Sequence, residues 1–577
     1  MVRADAQNDT RRCEWLAGLR VVEPPTWCNR VSAARCEKTA LRLGSGRYSP
    51  CVLESGRCIS GWPGGIGCTS SRSSFSCDAC TDRTLKLERE ARRAVEHRHC
   101  TWRGMRIDVQ LLHEPRGSRD AVFFGAGEQT HSWLKAAAKA ELHCVSDTSA
   151  RNQSTVRPDL TLVLADYRFF HTHPEASSIG AHGIGAHLVP DVRRMLCVHY
   201  RLMASTMMST GGVALINFGG EWVEPDYIPE VERMLHSCGV AASRAILLHY
   251  NVGAMLPLEE NFLLPAEAPY LKERWSELTR WAQASGVGQT LPRPEIRQAY
   301  WNSYYAAISR PTRACVETRE LRARHSASLK RPATKAFTML GGQAKTFRGV
   351  VMLEMARRGL LTQGRWSAGA FGFCSRSNAS GALHPKAFAT AGPLAYQESL
   401  VLLGNASLVR WLCSQLPRIL DVDPSIKTAH TDFGAAPELY GETRFAVVLE
   451  TSIDSASHDR IIYVTEKPLK PMLNLRPFVM AGSAGSLATL RSLGFRSFQP
   501  TIDESYDTIL DREPRIRFAL REVERLAAPS LATTAWPSHL ASAVVHNQRH
   551  LACGGLRKAL ASHALAAVDL ASRLARK

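Results

Sequence analysis

The sequence has no run of about 18 consecutive apolar residues, the length that crosses a bilayer as a helix, so it offers no membrane span. Its first residues, MVRADAQNDTRRCEW, lack the apolar core of a signal peptide. Dense basic tracts and nucleic-acid-binding motifs are also missing, which argues against a nucleic-acid partner. No internal repeat is evident, which sets aside solenoids and propellers. Large apolar residues are scarce over residues 1–82. That stretch therefore needs covalent or metal staples to fold.

What is present is globular in composition. The chain has 577 residues, 45% hydrophobic and 22% charged, enough for several domains with sizeable cores. The net charge of +19 favours anionic partners such as nucleotides, phosphates and acidic glycans. Arginine greatly outnumbers lysine and is spread along the whole chain. That spread is the mark of nucleotide-composition bias more than of a binding patch.

Nine of the 16 cysteines lie between Cys13 and Cys100. Residues 13–80 read as a small disulfide module whose connectivity the sequence does not specify. A zinc site competes. "CDAC" and "HRHC" set Cys77, Cys80, His97 and Cys100 at a spacing four N/S ligands can close, although the charged stretch between them reads as a helix. The later cysteines (Cys144, Cys197, Cys238, Cys315, Cys374, Cys413 and Cys553) are scattered and read as small buried hydrophobes. N-x-S/T sites occur at Asn8, Asn152, Asn378 and Asn405. Together with the cysteines they point to the secretory pathway or Golgi lumen, with an anchor or signal lying outside this chain. A cytoplasmic location is the alternative.

The patterning divides the chain into a Cys-rich module (1–82), a basic helical linker (83–110), a first α/β lobe (111–333), a second α/β lobe (334–526) and C-terminal helices (527–577). In the first lobe "DAVFFGAG", "DLTLVLADYRFF", "GGVALINFGGEW" and "SRAILLHYNV" read as strands alternating with helices. Residues 256–333 are less regular. In the second, "KAFTMLGG", "RFAVVLET", "RIIYVTEK" and "RPFVMAG" read as strands, with helices at "TFRGVVMLEMARRGLL", "KPLKPMLNL" and "GSLATLRSLGF". The fold class is α/β, with two Rossmann-like lobes and a ligand site in the crevice between them.

Chemistry concentrates at "IIYVTEKPLK". Ligands collect at the carboxyl ends of strands in open α/β sheets. Thr465 reads as the N-cap of a helix whose first turn holds Glu466 and Lys467. Such a terminus favours a phosphate, Lys467 adds a full cation, and Glu466 can accept hydrogen bonds from sugar hydroxyls. The other reading is an ordinary cap with a surface ion pair. Lys345 and Arg348 in "QAKTFRG" form a second cationic site after another strand, and the "GSAGS" turn lets backbone approach a ligand.

The stretch "RFAVVLETSIDSASHDRIIYVTEKPLKPMLNLRPFVMAG" resembles the donor-binding lobe of the α-1,3-fucosyltransferases. Those carry a strand ending in Phe-Glu-Asn, then Tyr-Ile-Thr-Glu-Lys, a helix and a further strand. "KAFTML", "TFRG" and "SLGFRSFQPTIDESYD" also resemble a group of glycosyltransferase-like proteins, so the likeness covers about residues 334–520. It implies a GT-B-like fold and a nucleotide-sugar donor, GDP-fucose among the candidates. It implies transfer to a glycan or glycoprotein hydroxyl, with no separate cofactor. The donor-binding residues it implies are Arg348, Tyr463, Glu466 and Lys467, with Glu450 nearby and Lys345 and Thr465 beside them. This chain departs from the pattern at Thr451, where the family has Asn, and at Phe347, where it has His. Asp503, Glu504 and Asp507 of "DESYD" either bind a sugar or cap a helix.

Inverting transfer needs a base for the acceptor hydroxyl. Glu221 and Asp166, each after a strand, are the candidates. No acidic metal-binding motif stands out at a strand end, so the reading is of metal-independent chemistry. A non-catalytic member of the group, binding glycan or protein through the Cys-rich module, is the competing function.

Overall fold

The computed structural model describes residues 96–111, 142–146, 158–166, 202–217, 240–249, 295–300, 333–341, 346–369, 406–418, 437–450, 464–532 and 536–576. It also describes the backbone of five short strands before residue 68 and a few single positions between these ranges. The chain divides into two units. One comprises residues 1–75, 172–186 and 371–414; the other comprises 76–171, 187–370 and 415–577.

The first unit holds a small sheet of β1 (Arg20–Val22), β2 (Thr39–Arg42), β3 (Arg47–Glu54), β4 (Arg57–Ser60) and β5 (Ile66–Gly67). Its order is β1-β2-β3-β4, with β5 paired to β3. The cysteine pairing expected within residues 13–80 lies outside the described residues. Farther along, a disulfide joins Cys374 to Cys413, the latter in the helix Ala406–Ser414.

The second unit contains two sheets. The first has seven strands: β6 (Glu96–Trp102), β7 (Met105–Leu111), β8 (His143–Ser146), β9 (Leu160–Asp166), β10 (Val213–Asn217), β11 (Ala245–His249) and β12 (Arg297–Tyr300). Their order is β12-β11-β10-β9-β7-β6-β8. The run from β7 through β9 to β12 is parallel, while β6 runs antiparallel to both of its neighbours, β7 and β8. "LTLVLAD", "VALIN" and "AILLH" are nearly continuous aliphatic runs, as strands covered on both faces require.

Where a basic helical linker was expected at 83–110, residues 96–111 form the β6–β7 hairpin instead, and residues 83–95 lie outside the described residues. Charge gave the stretch a helical look, but period-two alternation prevails. Cys100 and Trp102 pack with Ile107, Val109 and Leu111. Arg103 and Gly104 both take positive φ (49° and 78°), the geometry of a two-residue hairpin turn. The Cys100–Cys144 disulfide fastens β6 to β8.

The second sheet is four-stranded and parallel. It consists of β13 (Lys335–Gly341), β14 (Gly364–Ala368), β15 (Thr443–Leu449) and β16 (Phe478–Ala481), in the order β14-β13-β15-β16. Helix α1 (Thr346–Arg357) connects β13 to β14. Gly364 lets the Phe337 ring lie against backbone: a Cβ there would stand 2.2 Å from the ring. Later helices are α2 (Pro437–Gly441), α3 (Leu469–Leu473), α4 (Ser486–Ser492), α5 (Arg512–Ala527), α6 (Ser538–Ala552) and α7 (Gly555–Arg576).

"RIIYVTEK", expected as a strand, is not one among its described residues. Ile462, Val464 and Thr465 are buried but irregular, and β16 takes the place beside β15. β12 falls inside the stretch that seemed irregular in sequence. Helix α6 packs on α3, while α7 lies against β9, β10 and β12. Cys553, between α6 and α7, is bridged to Cys315.

Five of the scattered cysteines read as buried hydrophobes (Cys144, Cys315, Cys374, Cys413 and Cys553) are thus disulfide-bonded. Cys197 and Cys238 lie outside the described residues. The three bridges among the described residues point to an oxidising, extracellular or secretory environment. Among the described residues no helix is long and apolar enough to cross a membrane.

Candidate functional site

Strand ends and a turn meet at the carboxyl edge of the four-stranded sheet. β15 stops at Leu449, and Glu450 follows with no exposed surface. Its N–H donates to the Ala481 carbonyl at 2.9 Å, carrying the β15–β16 ladder one residue farther. Its carboxylate accepts the Thr465 N–H at 3.0 Å and the Thr465 hydroxyl at 2.6 Å. Its carbonyl accepts Nε and Nη2 of Arg348, each at 3.3 Å. Arg348 stands in the first turn of α1 and is buried.

Thr465 passes the network on. Lys467 Nζ donates to its hydroxyl oxygen at 2.9 Å and to the Glu466 carboxylate at 3.2 Å. Lys467 and Glu466 are largely buried, 19% and 21% exposed, and stand at the outer end of this chain of contacts. Burial pushes the Glu466 carboxyl up, but the Lys467 charge, hydrogen bonds and Lys470 outweigh it and hold the group below the ordinary carboxylate range. Arg348, Glu450, Thr465, Glu466 and Lys467 therefore belong to one cluster.

The local helix differs from expectation. Thr465 is not its N-cap, because that hydroxyl is given to Glu450. The helix begins later, at Leu469, with Pro468 in the cap position and no side-chain cap. It is five residues long, so it supplies little dipole.

The glycine turn after β16 is held from inside. Gly482 lies beside the cluster, where an added Cβ would stand 3.5 Å from the Glu450 Cβ. Its carbonyl accepts Arg515 Nε at 2.9 Å. Gly485 takes φ 79° and opens α4. The Asp507 carboxylate accepts the Leu487 and Ala488 N–H groups, both at 2.9 Å. That helix N-terminus thus has its free N–H groups taken by a side chain of the protein itself. Burial pushes the Asp507 carboxyl up, against Arg491 and the two N–H groups. Glu504 accepts the Phe498 N–H, the Ser497 hydroxyl and Arg491. Asp503 accepts the Ser505 N–H. Of the three acids of "DESYD", Asp507 takes the capping role, whereas Glu504 holds the Phe498 loop and Asp503 the Ser505 turn.

The other sequence-named residues fall elsewhere. Lys345, Tyr463 and Glu221 lie outside the described residues. Asp166 closes β9, in register with Asn217 of β10, at the carboxyl edge of the seven-stranded sheet. The alternative zinc set is corrected: Cys100 is bonded to Cys144 and has no thiolate to offer. Cys77 and Cys80 are outside the described residues, and His97 turns toward Asp108. Among the described residues no three His, Cys, Asp or Glu side chains are preset around a metal position.

Sequence reasoning passed over His249, the last residue of β11. It is fully buried, and its Nε2 lies 2.9 Å from Gln298 Oε1. Burial depresses its pKa to about 4, so the ring is neutral. A histidine closing the aliphatic run "AILLH" was the available signal.

No family model, curated protein or solved structure matches this chain.

Proposed function

We propose that the protein is a glycosyltransferase of the two-Rossmann-lobe type. It moves a sugar from a nucleotide-sugar donor, GDP-fucose among the candidates, to a glycan or glycoprotein hydroxyl. The observation that carries this reading is the clustering of Arg348, Glu450, Thr465, Glu466 and Lys467 at one sheet edge. Residues far apart in sequence, picked out by the fucosyltransferase-like pattern, meet where open α/β sheets bind ligands.

The cluster assigns different work to each member. Lys467, 19% exposed where Arg348 is buried, is the cation suited to offsetting diphosphate charge as the sugar's anomeric bond breaks. Glu466, ionised beside it, is suited to holding sugar hydroxyls. Arg348 and Glu450 are positioning residues: they lock the end of β15 and the turn that presents Lys467. The acceptor hydroxyl joins the anomeric carbon and gives its proton to a base, for which Asp166 and Glu221 are candidates. The nucleoside diphosphate leaves.

A second reading is a binding protein on the same framework. The internal use of both Glu450 carboxylate oxygens and the Asp507 cap on α4 favour it. Nucleotide-dependent thermal stabilisation, followed by a transfer assay with the stabilising nucleotide's sugars, separates the two. The transferase reading expects one nucleotide to stabilise the wild type and not Lys467→Ala, with turnover. Stabilisation without turnover favours the binding protein. A folded protein that responds to no nucleotide overturns the donor site.

A further inference from the structure

Strand β7, "MRIDVQL", alternates: Ile107, Val109 and Leu111 share one face, and Arg106, Asp108 and Gln110 share the other. Asp108 and Gln110 are nonetheless buried. Polar side chains covered in this way are hydrogen-bonded. The hairpin register sets His97 of β6 opposite Gln110, and His99 opposite Asp108, on that same face. Gln110 Nε2 donates to Asp108 Oδ2 at 2.9 Å, and His97 Nδ1 lies 3.4 Å from Asp108 Oδ1. His99 Nδ1 stands farther off, at 3.9 Å.

The order Gln110, Asp108, His97 sets a tautomer. Burial pushes the Asp108 carboxyl up, but hydrogen bonds from His97 and Gln110 and the nearby imidazoles outweigh it and hold the group below its ordinary range. An ionised carboxylate only accepts, so the proton sits on His97 Nδ1 and the lone pair on Nε2. A carboxylate behind an imidazole also stabilises the imidazolium that forms when Nε2 takes a proton. The 3.4 Å contact is long, as such contacts are in enzymes without substrate. The Asp108 side chain is 12% exposed and that of His97 40%, so the carboxylate is screened while the ring is open to a substrate.

His97 is the second residue of β6 and pairs with the last but one of β7. It therefore stands at the carboxyl end of the parallel run that continues into β9 and Asp166, the edge where such sheets take ligands. The Cys100–Cys144 bridge and pairing on both sides make β6 a rigid support.

We propose that His97 is the catalytic base of the transfer, in place of Asp166 or Glu221, and that Asp108 is its positioning residue. This inference rests on the transferase reading. Nε2 takes the acceptor hydroxyl's proton as the hydroxyl oxygen bonds to the anomeric carbon. The bond from that carbon to the diphosphate breaks, and its electron pair leaves with the nucleoside diphosphate. The imidazolium then gives its proton to water.

The test uses the full chain, a panel of GDP- and UDP-sugars and a desialylated glycoprotein as acceptor. Wild type, His97→Ala, Asp108→Asn and Asp166→Asn are compared for turnover and for nucleotide-induced Tm shift. A Tm shift equal to the wild type's shows that a variant is folded and its donor site whole. In His97→Ala kcat should fall by about 10²-fold or more at unchanged donor KM, the scale of general-base catalysis, and added imidazole should restore part of it. In Asp108→Asn the new amide N–H₂ can face Nδ1 and reverse the tautomer, so kcat should fall at least tenfold, again without change in donor KM. His97→Ala turning over within threefold of the wild type overturns the proposal, and so does a loss confined to Asp166→Asn. A wild type that is stabilised by a nucleotide but transfers no sugar overturns it together with the transferase reading. That result is distinct from an active enzyme indifferent to His97, which overturns the base alone.

Discussion

The Thr465 hydroxyl stands 2.6 Å from Glu450 Oε2, and the Thr465 N–H 3.0 Å from Oε1 of the same carboxylate. One acid thus takes both donors of a residue fifteen positions away, and the turn that bears Lys467 is fastened to the end of β15. Glu450→Gln leaves one acceptor and turns an amide N–H₂ toward a donor. A loss of about 1–3 kcal/mol is expected, the cost of a buried polar group without its partner. Urea unfolding of the variant measures it, and an unchanged midpoint would rule out the fastening role.

Lys467→Ala is expected to behave differently. It removes an ion pair only about one-fifth exposed and a hydrogen bond to the buried Thr465 hydroxyl, so a baseline loss of about 1–3 kcal/mol is expected. Ligand stabilisation should disappear altogether. A nucleotide that raises the wild-type Tm should leave the variant's Tm unmoved from the variant's own baseline. A nucleotide shift equal to the wild type's would confine Lys467 to a structural role.

Cys315 and Cys553 are 238 positions apart in sequence. Joining residues so distant restricts the unfolded chain strongly, by about 5 kcal/mol in the loop-entropy treatment. Cys315→Ser combined with Cys553→Ser should therefore unfold at markedly lower urea. The second unit should lose stability on reduction. An intact midpoint under reducing conditions contradicts this.

Acid should weaken the fold before carboxylates titrate. His249 and His563 are buried, and burial sets their pKa at about 4 and about 3. Unfolded histidines take up protons near 6.5. Between that value and about 4 the unfolded chain binds protons that the native chain refuses, so stability falls as pH falls. Above 6.5 the two histidines contribute no slope. The total loss by pH 4 is on the order of several kcal/mol. Tm measured from pH 7.5 to 4.5 should decline, and less steeply in His563→Leu.

The elements readable in sequence were those with one dominant signal. "LTLVLAD", "AILLH" and "RFAVVL" are aliphatic enough to be strands in any context, and α7 shows a clear helical period. "RIIYVTEK" carries the same local signal, but its donors are claimed by Glu450, a long-range partner that no window contains. The hairpin at 96–111 was hidden by its charge, because His97, His99 and Arg98 mask an alternation that only pairing reveals. The cluster around Lys467 was legible through a pattern, yet the inward turn of Arg348 and Glu450 was not. The cysteines show the same limit: each scattered residue looks like a hydrophobe until its partner is brought beside it.

Helix α7 lies on β9, β10 and β12 and covers part of the seven-stranded sheet with a buried apolar face. In order of synthesis that cover comes last. The sheet strands are complete by Tyr300, while α7 begins at Gly555. A ribosome making this chain therefore holds the aliphatic sheet without α7 through the whole translation of the second sheet. Such surface is prone to aggregate. Yield in cells should thus depend on chaperone supply during elongation as much as on the stability of the finished protein.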